Sequence, residues 1–322
     1  MRKPSPLYPG DTIGIVAPSS PVPPEELQKG IAVLEERGYR VFVGESVLAT
    51  VPGSDYLAGS DAARVADIEA IFAREDIAAV ICARGGYGAM RLLPLLDWEK
   101  IARHPRLFLG YSDITSLHAA LARKAGLVTL YGPNLTTLPG LDETASRLLW
   151  RMLEDPIALG TLPTPGATLQ TVVPGIVEGE LAGGCLSLLA HACGSDFAPD
   201  FEDKIVLIED VNENIYRADR DLTQLRNAGL LDSAAGFVVG TITHWQKKEA
   251  DPPRNRPETL WQEIFGPLGK PTLAGFPFGH EPHPLTLPLG VHARLDAGAQ
   301  TLTLLEPATL RDRPARKSPA SR

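Results

Sequence analysis

A chain of 322 residues, 44% apolar and 22% charged, is long enough for two domains that each bury a core, and it has the composition of a soluble globular protein. Its formal net charge of −8 argues against the basic face that nucleic-acid binding requires, and thirty glycines with twenty-nine prolines argue against a helical bundle. No apolar run approaches the ~20 residues of a membrane span, and the first, residues 12–17, is too short for a signal-peptide core, so the expected location is cytoplasmic.

The run at 12–17 predicts a first strand, closed by Pro18, Ser19, Ser20 and Pro21. A helix over 24–36 follows, with Leu27, Ile31, Val33 and Leu34 as its apolar stripe, and then a strand over 39–44. This is β-α-β, the unit of a parallel sheet. A helix over 57–75 and a strand over 77–82 repeat it. Directly past that strand stands Arg84-Gly85-Gly86-Tyr87-Gly88, at the carboxyl edge where open parallel sheets place their ligands. A helix over 98–103, a strand over 107–110, a helix over 113–124, a strand over 127–131 and a helix over 143–153 complete an α/β first half.

Residues 156–175 carry Pro156, Pro163, Pro165, Gly166 and Pro174 without helical periodicity, and are expected to be a linker. Beyond it, strands are expected over 179–182, 204–208, 236–242, 272–276, 285–289 and 301–305, with helices over 184–193, 215–228 and 257–265. The expected division is therefore 1–155, a linker at 156–175, a smaller domain at 176–306 and a disordered basic tail at 307–322. Cys82, Cys185 and Cys193 form no C-x-x-C pair, so neither a disulfide framework nor a thiolate metal site is indicated.

Chemistry is concentrated at Gly110-Tyr111-Ser112-Asp113-Ile114. A buried strand that stops at Gly110 and presents a Ser two residues later, at the start of a helix, reads as a nucleophile elbow. The same residues also suit a plain helix cap. A Ser hydroxyl needs a base to take its proton and a group to orient that base. Glu209 and Asp210 end the apolar run 205–208, and His280 follows a strand and Gly279; His283 and His292 are rival bases. The glycine loop has two readings. A free Gly86 N–H would serve as an oxyanion donor, or the loop would cradle a phosphate, although it fits neither G-x-G-x-x-G nor the P-loop pattern. No histidine pair has the spacing of a zinc peptidase.

Taken together, Pro9-Gly10-Asp11, Ala17-Pro18-Ser19-Ser20, the 84–88 loop, Gly110 to Thr115, Ile208-Glu209-Asp210 and Gly279-His280 with Leu285 to Gly290 resemble the LD-carboxypeptidase family of serine peptidases. The resemblance spans residues 7–305. It implies a flavodoxin-like parallel-sheet N-terminal domain plus a smaller swivelling β/α C-terminal domain, usually in a homodimer. It further implies a triad of Ser112 as nucleophile, Glu209 as orienting acid and His280 as base, with the N–H groups of Gly86 and Asp113 as oxyanion donors. Arg84, Gly85 and Cys185 are candidate substrate contacts. Cys185 is a departure, since the family usually shows Gly-Gly-Asn-Leu where this chain has Gly183-Gly184-Cys185-Leu186.

The activity so implied is release of C-terminal D-alanine from murein tetrapeptides, with no cofactor and no metal. One rival is a microcin C immunity-type peptidase acting on aminoacyl-adenylate mimics, for which Trp245 or Trp261 could supply the aromatic contact. A rival of another class is a small-ligand-binding protein without catalysis, and fold alone does not separate these.

Overall fold

The computed structural model describes residues 1–243 and 256–311, so His244, Trp245 and residues 312–322 of the basic tail lie outside the described residues. In the first half the elements are β1 (Thr12–Val16), α1 (Pro24–Glu36), β2 (Arg40–Val43), α2 (Asp61–Ala73), β3 (Ile77–Cys82), α3 (Trp98–Arg103), β4 (Leu107–Gly110), α4 (Thr115–Ala120), β5 (Thr129–Tyr131) and α5 (Glu143–Glu154). Every residue of β1, β3, β4 and β5 is buried, as expected of parallel strands covered on both faces. Side-chain caps set helix starts: Ser60, Asp97 and Asp142 accept from the N–H groups of Ala63, Lys100 and Ala145. The strands run parallel in the order β2-β1-β3-β4-β5, the flavodoxin-like arrangement, with chemistry expected at their carboxyl ends.

The second half contains β6 (Gly160–Thr161), β7 (Gln170–Val173), β8 (Ile176–Cys185), α6 (Leu186–His191), β9 (Ile205–Val211), α7 (Ile215–Asn227), α8 (Leu230–Ser233), β10 (Gly236–Thr243), α9 (Pro257–Phe265), β11 (Thr272–Ala274), β12 (Leu287–Leu289), β13 (His292–Asp296) and β14 (Thr301–Leu304). Its sheet, in the order β6-β14-β13-β8-β9-β10-β11-β7, is parallel through β8 to β11 and antiparallel toward both edges.

Four features differ from expectation. The stretch at 156–175 is not bare linker: it supplies β6 and β7, which are edge strands and so tolerate the prolines around them. The helix expected over 113–124 is divided into a 3-10 turn at Ser112–Ile114, α4, and a π turn at Leu121–Ala125 that ends on left-handed Gly126. β13 was not expected. Strand β12, from the second half, pairs antiparallel with β5 of the first sheet, Leu287 opposite Tyr131, and puts Pro288 where an edge strand can hold it. One apolar cluster accordingly runs through both halves, joining Ile13, Ile81 and Leu130 to Leu181, Leu207 and Leu287.

His118 of α4 is wholly buried behind this sheet, with Nε2 2.9 Å from the Gly110 carbonyl oxygen and Nδ1 2.8 Å from the Thr129 hydroxyl. Burial lowers its pKa to about 4, so it is the neutral tautomer that donates from Nε2 and accepts at Nδ1. An imidazole depressed in the folded state holds its full stabilisation above its unfolded pKa near 6.5 and loses it as pH falls toward 4. Unfolding free energy measured at pH 7 and pH 4 is expected to fall by about 3 kcal/mol more in the native protein than in His118→Gln. Equal losses in the two proteins would contradict a neutral buried imidazole.

Candidate active site

Past Gly110 the chain turns sharply. Ser112 adopts φ +67°, the left-handed region that a non-glycine residue rarely occupies, and this strained turn lifts it between β4 and the helical segment that follows. Three contacts hold the turn. The Ser112 N–H donates to the Tyr131 hydroxyl at 3.3 Å, the Tyr111 N–H donates to the Asn134 side-chain oxygen at 3.3 Å, and the Gly110 carbonyl accepts from the Gly132 N–H at 3.1 Å.

Asp113 does not cap the helix. Its carboxylate, buried and pushed up in pKa by that burial, accepts from the Ser19 hydroxyl at 2.6 Å and the Ala89 N–H at 2.8 Å. It therefore pins the loop after β1 and the glycine loop after β3 to the Ser112 turn. Ser20 completes the brace: its N–H donates to the Gly85 carbonyl at 3.3 Å and its hydroxyl accepts from the Tyr87 N–H at 3.3 Å. Gly85 is buried against Ser112. Gly86, at φ +112°, has no room for a side chain, because a Cβ there would stand 2.0 Å from the Ser20 hydroxyl oxygen. Arg84 is exposed at the rim and donates to the Pro21 carbonyl at 3.2 Å.

The second half brings Glu209 and His280 to the same place. Glu209, near the carboxyl end of β9, is 1% exposed, and three donors converge on its carboxylate. Tyr131 donates to Oε1 at 2.5 Å; Nδ1 of His280 lies 2.8 Å from Oε2, and the His280 backbone N–H donates to the same oxygen at 3.2 Å. The ring of His280 rests on that of Tyr111, the neighbour of Ser112, with centroids 5.0 Å apart. With Nδ1 committed to the carboxylate, Nε2 is the nitrogen left to exchange a proton.

Cys185 stands opposite Glu209 in the β8–β9 ladder and is buried. Its thiol donates to Asp210 at 3.3 Å, its N–H donates to the Thr115 hydroxyl at 3.0 Å, and burial pushes the thiol pKa far above its ordinary value. It is an inert structural thiol rather than a nucleophile. Of the rival bases, His283 is on the exposed loop after His280 and His292 lies on β13, away from this cluster.

Sequence reasoning missed Tyr131 and the bracing role of Asp113. A hydroxyl at the last position of β5, beside the strand that carries Ser112, is the available signal, and it is hidden because 127–131 reads as an apolar run. Among the described residues no cluster of His, Cys, Asp and Glu could hold a metal ion, and no helix is long and apolar enough to cross a membrane.

Two family models match the chain: the LD-carboxypeptidase N-terminal domain over residues 13–132 and the LD-carboxypeptidase C-terminal domain over residues 178–295. A putative carboxypeptidase from Streptomyces coelicolor is 42% identical over 95% of this chain and 97% of its own. A probable murein peptide carboxypeptidase from Bacillus subtilis is 37% identical over 94% of each. Among solved structures, muramoyltetrapeptide carboxypeptidase from Oxalobacter formigenes superposes with a TM-score of 0.78 at 31% identity, over 91% of this chain and 97% of its own. The microcin C7 self-immunity protein MccF, in complex with glutamyl sulfamoyl guanosine, superposes with a TM-score of 0.86 at 25% identity, over 96% of this chain and 99% of its own.

Proposed function

Because this chain belongs to the LD-carboxypeptidase family, we propose that it is a serine peptidase that removes the C-terminal D-alanine of murein tetrapeptides, with Ser112, Glu209 and His280 as its triad. The observation that supports this reading above the others is the buried Glu209 carboxylate, which holds Nδ1 of His280 at 2.8 Å beside the strained Ser112 turn.

His280 accepts the Ser112 hydroxyl proton at Nε2 as the oxygen attacks the terminal peptide carbonyl. Glu209 fixes the tautomer and stabilises the imidazolium. The negative oxygen of the tetrahedral intermediate is bound by the N–H groups of Asp113, in the first turn of a helix where such donors have no intrahelical partner, and of Gly86 across from it. His280 then gives its proton to the departing D-alanine amine, and water, deprotonated by the same ring, releases the peptide from Ser112. In this reading residues 1–155 supply the nucleophile and 176–306 the acid and base. Arg84, exposed at the rim, meets the substrate carboxylate, and Gly85 lines the floor. The cytoplasmic location and homodimer expected above belong to the same reading.

A second reading, hydrolysis of an aminoacyl-nucleotide mimic, draws on an exposed aromatic pair. Tyr56 and Tyr87 are 51% and 49% exposed with ring centroids 5.9 Å apart, at the rim of the glycine loop, and offer a stacking surface. Incubation with a murein tetrapeptide and, separately, with an aminoacyl sulfamoyl adenosine, followed by mass spectrometry, separates the two. Loss of one alanine from the tetrapeptide is expected; turnover of the nucleotide mimic alone would favour the second reading, and turnover of neither would end both.

A further inference from the structure

We propose that Tyr131 is a positioning residue that locks the nucleophile turn of the first half to the acid of the second, so that Ser112 and Glu209 take up their working geometry together. The inference rests on the triad reading and adds to it a part that neither the sequence nor the family comparison assigns.

A phenolic hydroxyl has one proton to give, and that of Tyr131 goes to Oε1 of Glu209 at 2.5 Å. Its oxygen is then an acceptor, and the Ser112 N–H fills that role at 3.3 Å. The donor that would otherwise be stranded on a strained residue is satisfied, and the same oxygen anchors a carboxylate from another sheet. Tyr131 can reach both because it ends β5, opposite Gly110 in the ladder on one side and Leu287 of β12 on the other. Its ring is fully buried and wedged among Tyr111, His118 and Phe278, with centroids 6.4, 5.7 and 6.3 Å away, which leaves the hydroxyl little freedom to swing.

Glu209 has two oxygens and two tasks. Tyr131 takes one, which orients the plane of the carboxylate so that the other faces Nδ1 of His280. The ionisable groups around this contact are Glu209, His280, Tyr111, Cys185, Asp210 and His118. Burial pushes Tyr111, Cys185, Asp210 and Tyr131 up and His118 down, so Tyr131 remains a donor across the working range.

The test uses covalent labelling of Ser112 by a fluorophosphonate together with steady-state turnover of the tetrapeptide. Tyr131→Phe is expected to slow labelling and kcat by about 30-fold, within the ~100-fold that a misplaced reacting group costs, with KM changed less than about twofold. The acid limb of the kcat profile should move up, since a carboxylate that has lost a donor acts more strongly on the ring it orients. Tyr131 replaced by 3-fluorotyrosine keeps both bonds with a more acidic hydroxyl, and should move that limb downward. In a Glu209→Ala background, where the Tyr131 hydroxyl has no side-chain oxygen at 209 to hold and only its bond to the Ser112 N–H remains, Tyr131→Phe should cost less than the factor expected in the native background. Native-like rates and an unmoved profile in Tyr131→Phe would overturn the proposal while leaving the triad intact. Absence of labelling at Ser112 in the native protein would remove the triad reading and this proposal with it.

Discussion

Replacing Ser112 by alanine is expected to lower kcat by about 10⁴- to 10⁶-fold, the range seen when a triad nucleophile is removed, while the fold and substrate affinity survive. Ser112→Gly sharpens the expectation, because glycine also removes the hydroxyl but accepts φ +67° without steric cost. Relief of a left-handed non-glycine residue is worth about 1 kcal/mol, which in a chain of this size is a rise of roughly 2 °C in Tm. The glycine variant should thus be inactive and more heat-resistant than the native protein, with alanine, still strained, falling below it. Turnover of a murein tetrapeptide and a thermal melt, run on all three proteins, check both halves. Near-native turnover in either variant would remove Ser112 from the chemistry, and a lower melting temperature for glycine than for alanine would mean that the turn stores no strain.

That strain explains why the site was half legible in the sequence. A short apolar strand ending in Gly110 with a Ser two positions on has a local cause, the elbow, and local causes show in linear order. Glu209 and His280 show in the sequence only as polar residues at the ends of buried strands, and it is the family resemblance that sets them beside Ser112. The alternation of strand and helix up to Glu154 likewise fixed a parallel sheet without any long-range information. Tyr131 was not visible as a partner, because its importance lies in two distances, one to a backbone N–H and one to a carboxylate, that only tertiary packing determines. For the side chain of Asp113 a helix cap is the local alternative that chain order offers, the resemblance giving a part only to its N–H, yet the Ser19 hydroxyl and Ala89 N–H brought to it by two neighbouring loops outcompete the helix for its carboxylate. Strand β13 did carry a signal, the alternation of exposed and buried positions in His292-Ala293-Arg294-Leu295, but three charged or polar residues in five masked it. The crossing of β12 onto the first sheet has no signature in the chain order at all.

The other large effect expected is at the acid, and two substitutions approach it from different sides. Glu209→Gln keeps the shape of the side chain and changes its hydrogen-bonding sense. With its amide oxygen accepting from Tyr131, the amide nitrogen faces Nδ1 of His280 and donates to it, which drives the ring proton to Nε2, where a base is needed. A wrong tautomer of this kind costs about 10⁴-fold in kcat in the best-studied triad, and a loss of 10³- to 10⁴-fold is expected here. Gly279→Ala leaves Glu209 chemically intact and moves it. Gly279 has φ +82°, and a Cβ on it would stand 2.3 Å from the carboxyl carbon of Glu209, so either the acid or the His280 loop must shift. A loss of at least ~100-fold in kcat is expected, with a fall in stability of about 1–3 kcal/mol from the strained alanine. Steady-state kinetics with thermal melts on both variants measures the difference. The melting temperature should drop in Gly279→Ala, and kcat should fall in both variants. If Gly279→Ala melted early but turned over at the native rate, contact between this glycine and the acid would be packing alone, and the position of the Glu209 carboxylate would not set the rate.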